Sequence, residues 1–303
     1  MTLLRLLVAL TAVYLLRRSI GARIERTVLQ RLPLGSDGII TGAGPIVLNP
    51  GAERGVLMLH GFGDTPQTVR YLAEHLGKLG FAVHAPLLPG HGRTLPHFAA
   101  TTADAWIAAA QTEFETLRRR YRSLGIVGVS MGGAIATMLA AAPRGPDAMV
   151  LIAPYLSMRP RDRRLAELHW ALAPFVPYFT SREEGSIRDE GERVSNRGYG
   201  VVTPRLLNEL LLIVRRARAA LPHVSAPTLV IQSRDDNRID PDAAEQAFDL
   251  LATAVKQFVW TAGSGHVITV DTGRERVLSL TGAWLLDHLQ PHGSKGTPEA
   301  FRP

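Results

Sequence analysis

The sequence predicts an α/β fold in which a doubly wound, mainly parallel sheet carries an inserted helical cap. From residue 44 onward, short apolar runs alternate with longer segments of helical composition, which is typical of a parallel sheet covered on both faces. The run 148–153 has no alternating polar residues, as expected of a strand buried on both sides. The alternation of apolar runs and helical segments stops between Pro154 and about Pro222, which predicts the insertion.

Seven apolar runs are predicted to be strands and five intervening segments to be helices. The strand runs are 45–49, 56–60, 81–86, 125–129, 148–153, 228–232 and 256–260. The helical segments are 66–79, 102–121, 131–142, 241–254 and 273–289. We therefore expect the core at 44–154 and 223–290 and the cap at 155–222. The Pro- and Gly-rich residues 291–303 have little to bury and are predicted to form a flexible tail.

The composition excludes several classes of protein. With 46% hydrophobic and 20% charged residues in a chain of 303, the protein can bury a sizeable core and is not a mostly disordered chain. Cysteine is absent, so the chain has no disulfide, no thiolate nucleophile and no thiolate metal site. The net charge of +7 comes mainly from arginine. The arginines are spread along helices and no nucleic-acid-binding module is recognisable, so nucleic acid is not expected as a partner.

Residues 1–31 combine an apolar run with a basic continuation. The uncharged run 6–16 is followed by Arg17, Arg18, Arg23 and Arg26, without the small-residue cleavage pattern of a signal peptide. A helix over 2–16 would rise ~22 Å, less than the ~30 Å hydrocarbon core of a bilayer, so a transmembrane helix would be marginal.

A membrane anchor is the favoured interpretation of this segment. Ile20, Ile24 and Val28 recur at four-residue steps, as in a helix that lies on an anionic surface. Basic residues are more numerous after the apolar run than before it, which would place the catalytic domain on the cytoplasmic side of a spanning helix. The alternative is an N-terminal helix packed on its own domain or on a partner chain.

A candidate nucleophile stands in the segment Gly128-Val129-Ser130-Met131-Gly132. This segment directly follows an apolar run and precedes an alanine-rich helix. In that setting, glycines two residues before and after the serine leave room for a strained turn that exposes its hydroxyl. The alternative is an ordinary glycine turn with a bystander serine.

A serine hydroxyl needs a base to become nucleophilic at neutral pH. Of ten histidines, only His266 sits in a Gly-rich loop between the last apolar run and the last helix. His60 and His91 open sharp turns and are predicted to be structural. Four further histidines are assigned to the core or surface: His84, His97, His169 and His223. No histidine pair has a convincing metal-ligand spacing, so neither a metal nor another cofactor is expected.

The acid that orients the base should lie between the serine and the histidine in the chain. The loop after the run 228–231 offers Asp235, Asp236 and Asp240. Asp240 precedes Pro241 and suits the N-cap of the next helix. The pattern leaves Asp235 and Asp236 open, because side chains at adjacent loop positions point apart and only one can face the histidine.

Backbone N–H groups are the candidates for stabilising the oxyanion of a tetrahedral intermediate. The first is that of Met131, the residue after the nucleophile. The second is that of Phe62, in the loop after the run 56–59.

At five places the sequence resembles the carboxylesterase and monoacylglycerol-lipase-like branch of the α/β-hydrolases. The matching segments, in the family's order over about 53–290, are LMLHGFGDTP (57–66), HAPLLPGHG (84–92), GVSMGG (128–133), PTLVIQSRDDNRIDP (227–241) and GSGHVIT (263–269). The resemblance implies the α/β-hydrolase fold and hydrolysis of short- or medium-chain acyl esters or monoacylglycerol-like lipids. It also implies Ser130 as nucleophile, His266 as base and Asp236 as acid, five residues before Pro241.

Two other functions remain open at this point. A peptidase or amidase such as an aminopeptidase would need an acidic group in the cap to hold the substrate ammonium, and Glu167, Glu183 and Glu184 are candidates. A non-catalytic, membrane-tethered binding protein could keep the fold without the reaction.

Overall fold

The computed structural model describes residues 2–180 and 185–290. Its strands are β1 (Ile46–Leu48), β2 (Arg54–Leu59), β3 (Ala82–Ala85), β4 (Ser123–Val129), β5 (Ala148–Ile152), β6 (Phe179–Thr180), β7 (Val201–Val202), β8 (Thr228–Ser233) and β9 (Lys256–Thr261). The helices are α1 (Thr2–Arg31), α2 (Arg70–Lys78), α3 (Leu95–Ala99), α4 (Ala103–Arg120), α5 (Met131–Ala140), α6 (Pro160–Glu167), α7 (His169–Leu172), α8 (Glu190–Ser195), α9 (Pro204–Ala220), α10 (Pro241–Asp249) and α11 (Arg274–His288).

Seven strands form the central sheet in the order β1-β3-β2-β4-β5-β8-β9. Only β1 is antiparallel to its neighbour, and the other adjacent pairs are parallel. After the edge strand β1, the chain enters the sheet interior at β2, steps outward to β3 and then returns to β4 on the other side of β2. This reversal brings the loops after β2 and β4 together at the carboxyl edge, where open α/β sheets hold their ligands.

The sheet is buried on both faces, which explains its uninterrupted apolar runs. Along β2, Leu57 and Leu59 pack with residues of α4, α5 and α9, whereas Val56 and Met58 pack on the opposite face with residues of α2 and α11. Successive side chains of a strand point to opposite faces, so a strand covered on both sides must be apolar at every position. The predicted doubly wound, mainly parallel sheet is confirmed.

Residues between β5 and β8 cover the carboxyl edge of the sheet. This segment contains α6, α7, α8 and the small antiparallel pair β6-β7, in which Phe179 lies opposite Val202. Helix α9, which the sequence analysis assigned to the cap, instead buries Leu206, Leu210 and Ile213 in the cluster that covers one sheet face. By its packing, α9 belongs to the layer of core helices.

Helix α1 has two halves with different surroundings. From Leu3 to Leu16 most apolar side chains are exposed, for example Leu4 at 69% and Leu16 at 62%. The second half packs on the protein: Val28 and the following Leu32 are buried in the core cluster. The predicted helix is present, but Ile24 and Val28 of its apolar stripe contact the domain, not an external surface.

Polar contacts of Arg17, Glu25 and Arg31 tie the second half of α1 to the cap. Arg17 Nε donates to the carbonyl of Ala173 at 2.8 Å, and the Tyr178 hydroxyl donates to Glu25 at 2.7 Å. Arg31 donates to the carbonyl of Gly198 at 2.7 Å. Within the described residues, no helix is both long and apolar enough to cross a membrane. The predicted tail at 291–303 lies outside the described residues.

We predict that the end of α1 and Leu32, the residue that follows it, contribute to folding stability. Leu32→Ala removes a side chain that is 1% exposed and should lower the free energy of unfolding by about 2–5 kcal/mol. Leu29, one helical turn before Leu32, is 45% exposed, so Leu29→Ala should cost less than about 1 kcal/mol. Urea unfolding followed by circular dichroism measures both, and equal effects would contradict the observed packing.

Candidate active site

Ser130 occupies the turn between β4 and α5 with a backbone conformation that is rare for a non-glycine residue. Its φ is 53° and its ψ is −118°. Its N–H donates to Ile152 at 3.0 Å, and its carbonyl accepts from the N–H of Gly133 and Tyr155, each at 2.9 Å. Such strain costs on the order of 1–3 kcal/mol and persists only where neighbours hold it. The predicted strand-turn-helix setting of this serine is present.

The glycines beside Ser130 are required by close backbone contacts. A Cβ on Gly132 would lie 2.1 Å from the carbonyl oxygen of Leu59, at the end of β2. A Cβ on Gly128 would lie 2.5 Å from the carbonyl oxygen of Gly132. Both distances are far below contact distance, so neither position accepts a side chain.

The structure brings the predicted serine, histidine and aspartate together. His266 Nε2 lies 2.8 Å from Ser130 Oγ, and His266 Nδ1 lies 2.8 Å from Asp236 Oδ2. All three residues are buried. With the proton on Nδ1, the imidazole donates to Asp236 and accepts from the serine hydroxyl, which is the arrangement of a serine nucleophile with its base.

Further hydrogen bonds keep Asp236 ionised and oriented. Burial alone would raise the pKa of this carboxyl, but the charge and hydrogen bond of His266, helped by the N–H groups of Ile239 and Arg238, lower its pKa overall. Asp236 Oδ1 accepts from the N–H of Arg238 at 2.7 Å and of Ile239 at 2.9 Å, while Gln232 donates to Oδ2 at 2.8 Å. A fixed carboxylate can hold the histidine ring in one tautomer and one orientation.

The other two aspartates of this loop have different partners. Asp235 accepts from the N–H of Gly263 at 2.8 Å and lies 3.3 Å from Arg188, with its side chain 36% exposed. Asp240 accepts from the N–H of Asp242 as the N-cap of α10. Of the two aspartates that the pattern left open, the one in contact with His266 is Asp236.

The loop that carries His266 is anchored by Asp271, a residue the sequence analysis missed. Its fully buried carboxylate accepts from the N–H of Gly265 at 2.7 Å, next to the histidine. Its other oxygen accepts from the N–H of Arg188 and Asp189, both at 2.9 Å, in the returning part of the cap. The one available signal was an aspartate in an otherwise uncharged stretch just before the last helix.

The two predicted oxyanion donors belong to segments that adjoin Ser130. Met131 is the first residue of α5, and the N–H groups of a first helical turn have no partner within the helix. Phe62 follows Gly61, and a Cβ placed on Gly61 would lie 3.4 Å from Ser130 Cβ. The turn after β2 is therefore in contact with the nucleophile, as the reversal of strand order requires.

His60 and His91 hold that turn in place, consistent with the structural roles expected for them. His60 Nε2 accepts from the N–H of Leu88 at 3.1 Å, and His91 Nε2 accepts from the N–H of Gly63 at 3.1 Å. Burial lowers the pKa of His60 to about 4, so the ring stays neutral near pH 7 and can accept the hydrogen bond. The pKa of His91 is also lowered, first by burial and then by electrostatic coupling to the neighbouring His60 ring.

A cavity of about 530 Å³ lies over Ser130 and His266, between the core and the cap. Its apolar lining includes Leu165 of α6, Val202 of β7 and Leu210 of α9. Arginines from the cap and from the loop of Asp236 also line it. In the described part of the chain, no group of three or more His, Asp or Glu residues could hold a metal ion.

A family model described as serine aminopeptidase, S33, matches residues 51–273, which cover most of the chain and all the site residues above. The chain belongs to this family of α/β hydrolases. Helix α1 lies outside the matched residues.

Three relatives indicate the kind of chemistry within the family. A thermostable monoacylglycerol lipase of Bacillus sp. (strain H-257) is 25% identical over 82% of this chain and 97% of the relative. A carboxylesterase of Bacillus subtilis (strain 168) is 27% identical over 75% of this chain and 90% of the relative. The solved structure of a metagenome-derived lipolytic enzyme is 31% identical, with a TM-score of 0.76, and covers 82% of this chain and 100% of its own. The predicted enzyme class, a carboxylic ester hydrolase, is confirmed.

Proposed function

We propose that this α/β hydrolase is a serine esterase or lipase that works through an acyl-enzyme on Ser130. The observation that carries the proposal is the continuous hydrogen-bonded chain from Ser130 Oγ through the His266 ring to Asp236, with both contacts at 2.8 Å. It starts at a strained turn that exposes the hydroxyl. We assign Ser130 as nucleophile, His266 as general base and acid, and Asp236 as the group that orients the base.

The geometry supports a two-step reaction. Ser130 Oγ attacks the ester carbonyl carbon while its proton moves to His266 Nε2, and the carbonyl oxygen becomes an oxyanion held by the N–H groups of Phe62 and Met131. The carbonyl then re-forms, the bond to the alcohol oxygen breaks, and the alcohol leaves with the proton from Nε2. A water molecule, deprotonated by the same nitrogen, attacks the acyl-enzyme, and the carboxylic acid leaves as Oγ regains its proton.

The proposed substrates are short- or medium-chain acyl esters or monoacylglycerol-like lipids. The apolar part of the cavity suits an acyl chain, and relatives of this chain include a monoacylglycerol lipase and a carboxylesterase. For an aminopeptidase, Glu167 is a poor ammonium ligand, since it pairs with Arg163 and Arg215 and does not line the cavity. The other two candidates, Glu183 and Glu184, lie outside the described residues.

The decisive experiment profiles the purified protein on nitrophenyl esters of graded chain length and on aminoacyl anilides. We expect ester hydrolysis, with kcat reduced by on the order of 10⁴–10⁶ in Ser130→Ala. A fluorophosphonate should label Ser130 alone, because only an activated hydroxyl attacks it quickly. Circular dichroism checks that the variant is folded. Hydrolysis of anilides but not esters, or unchanged ester hydrolysis by Ser130→Ala, would overturn the proposal.

The two neighbouring aspartates make a matched test of the acid. Asp236→Asn should keep the serine and histidine in place but favour the wrong imidazole tautomer, lowering kcat by up to ~10⁴. Asp235→Asn, one residue away, removes only a partly exposed charge and should keep kcat within a few-fold of the original enzyme. Steady-state kinetics on a nitrophenyl ester compares them, and the reverse ranking would show that the acid is misassigned.

We also propose that the first half of α1 binds an anionic membrane surface. Residues 3–16 expose a nearly continuous apolar surface, and the exposed Arg18 and Arg23 come after it, where they can meet lipid phosphates. The same order of apolar and basic residues favours the cytoplasmic side for the catalytic domain. An exposed apolar helix of this length is otherwise costly in water, because it leaves large side chains unburied.

Vesicle flotation tests the proposal with the second half of α1 intact. We expect binding to phosphatidylglycerol vesicles, weaker binding to phosphatidylcholine, and loss of binding in a Leu7→Gln/Leu10→Gln variant, since both side chains are 53% exposed. Val194→Gln, at a 78% exposed position on α8, is the control and should bind normally. If the protein does not bind vesicles but self-associates through Leu7 and Leu10, the partner of this helix is a second copy of the chain and not a membrane.

A further inference from the structure

Among the described residues, the lining of the cavity over Ser130 carries an excess of positive charge. Its lining includes four arginines, Arg159, Arg161, Arg193 and Arg238, against two acidic residues, Asp64 and Asp162. The remaining lining on the cap side is largely apolar. A neutral acyl ester offers these guanidinium groups no charged partner, whereas an anionic substrate would.

Two of these arginines, Arg159 and Arg161, have no hydrogen bond or ion pair within residues 2–180 and 185–290. Both side chains are exposed. On the same helix, Arg163 donates to Glu167 at 3.0 Å, which also pairs with Arg215 on the outer side of the cap. Arg163 is thus paired within the cap, whereas Arg159 and Arg161, which line the cavity, are not.

The helical repeat of α6 explains this division. Residues four apart lie on one face of a helix, and Arg161 and Leu165 both line the cavity. Arg163 and Arg164 do not line it, so they fall on the other faces. Substituting Arg159 and Arg161 therefore removes the same charge as substituting Arg163 and Arg164. Only the first pair lines the cavity.

The charge of the lining acts close to the reacting groups. Tyr155 is buried, lines the cavity, and its ring centroid is 6.5 Å from that of His266. Burial and the charge of Asp162 raise the pKa of its hydroxyl, whereas the charges of Arg238 and Arg159 act in the opposite direction. Arg238 is also fixed near the site, because its Nε donates to Ser186 Oγ at 2.9 Å.

We propose that the enzyme prefers esters bearing a negatively charged group, a phosphate or a carboxylate, which Arg159 and Arg161 bind on the cap side of the cavity. The guanidinium fork suits both groups, because each presents paired oxygens. A substrate ammonium is repelled by the same field, which disfavours peptide N-termini. This inference rests on the proposed ester hydrolysis at Ser130 and adds the class of substrate.

Matched pairs of short, monomeric esters test the preference without involving a membrane. One pair is 1-butyrylglycerol and 1-butyrylglycerol 3-phosphate, with the anion on the alcohol side. The other is 4-nitrophenyl butyrate and the mono-4-nitrophenyl ester of succinic acid, with the anion on the acyl side. We expect kcat/KM for the anionic member of at least one pair to exceed that of the neutral member about tenfold, mainly through KM. The excess should shrink as salt is raised, because the arginines are exposed.

The arginine variants assign the preference to the cavity. In Arg159→Gln/Arg161→Gln the ratio of anionic to neutral kcat/KM should fall to near one. In the control Arg163→Gln/Arg164→Gln, which removes the same charge from the same helix, the ratio should stay at its original value. Circular dichroism and hydrolysis of the neutral ester show that each variant is folded.

The outcomes separate this inference from the function on which it rests. Neutral esters hydrolysed in a Ser130-dependent manner, with no anionic preference in either pair, would refute the inference and leave the esterase intact. An equal fall of the ratio in both double variants would refute it as well, since net charge alone would then be responsible. Failure to hydrolyse any ester would instead refute the esterase proposal.

Discussion

The unfavourable positive φ of Ser130 is held by hydrogen bonds where β4 ends and α5 begins. The N–H of Ser130 donates to the end of β5, and its carbonyl accepts from the first turn of α5 and from Tyr155 at the start of the cap. Gly132 lets α5 approach the last carbonyl of β2. A turn that is unfavourable by itself is thus stabilised by three parallel strands, and the hydroxyl it exposes is in place before any substrate binds.

The base and acid reach this turn from the other half of the sheet. Asp236 follows β8 and His266 follows β9, so both arrive at the carboxyl edge where Ser130 lies. Asp271 supports this arrangement, although none of its hydrogen bonds to described residues involves Ser130, His266 or Asp236. By accepting from Gly265 and from Arg188 and Asp189, it joins the histidine loop to the returning end of the cap. One buried carboxylate therefore links the loop that positions the imidazole to the cap.

The strands of the sheet and the nucleophile could be predicted from the sequence, whereas contacts between residues distant in the chain could not. Apolar runs predict the strands because burial on both faces leaves no polar position, and the glycines around Ser130 predict the turn because only they fit it. Local pattern could not choose between Asp235 and Asp236, since the choice depends on a histidine 30 residues away, and the resemblance supplied it. Asp271 and the core packing of α9 were missed for the same reason, because their partners are distant in sequence.

The spacing of Ile24 and Val28 shows how a correct pattern can have two physical causes. An apolar stripe on a helix indicates that this face contacts a nonpolar surface, but the pattern is the same whether that surface is lipid or protein. In the second half of α1 the neighbour is the domain itself. Because Arg17 is bonded to Ala173, the exposed first half leaves the domain beside the cap, where Trp170 is 70% and Phe175 is 59% exposed. If residues 3–16 bind lipid, these aromatic side chains, three and two residues from Ala173, come to the same interface, and the cap that bears the unpaired arginines faces the anionic surface.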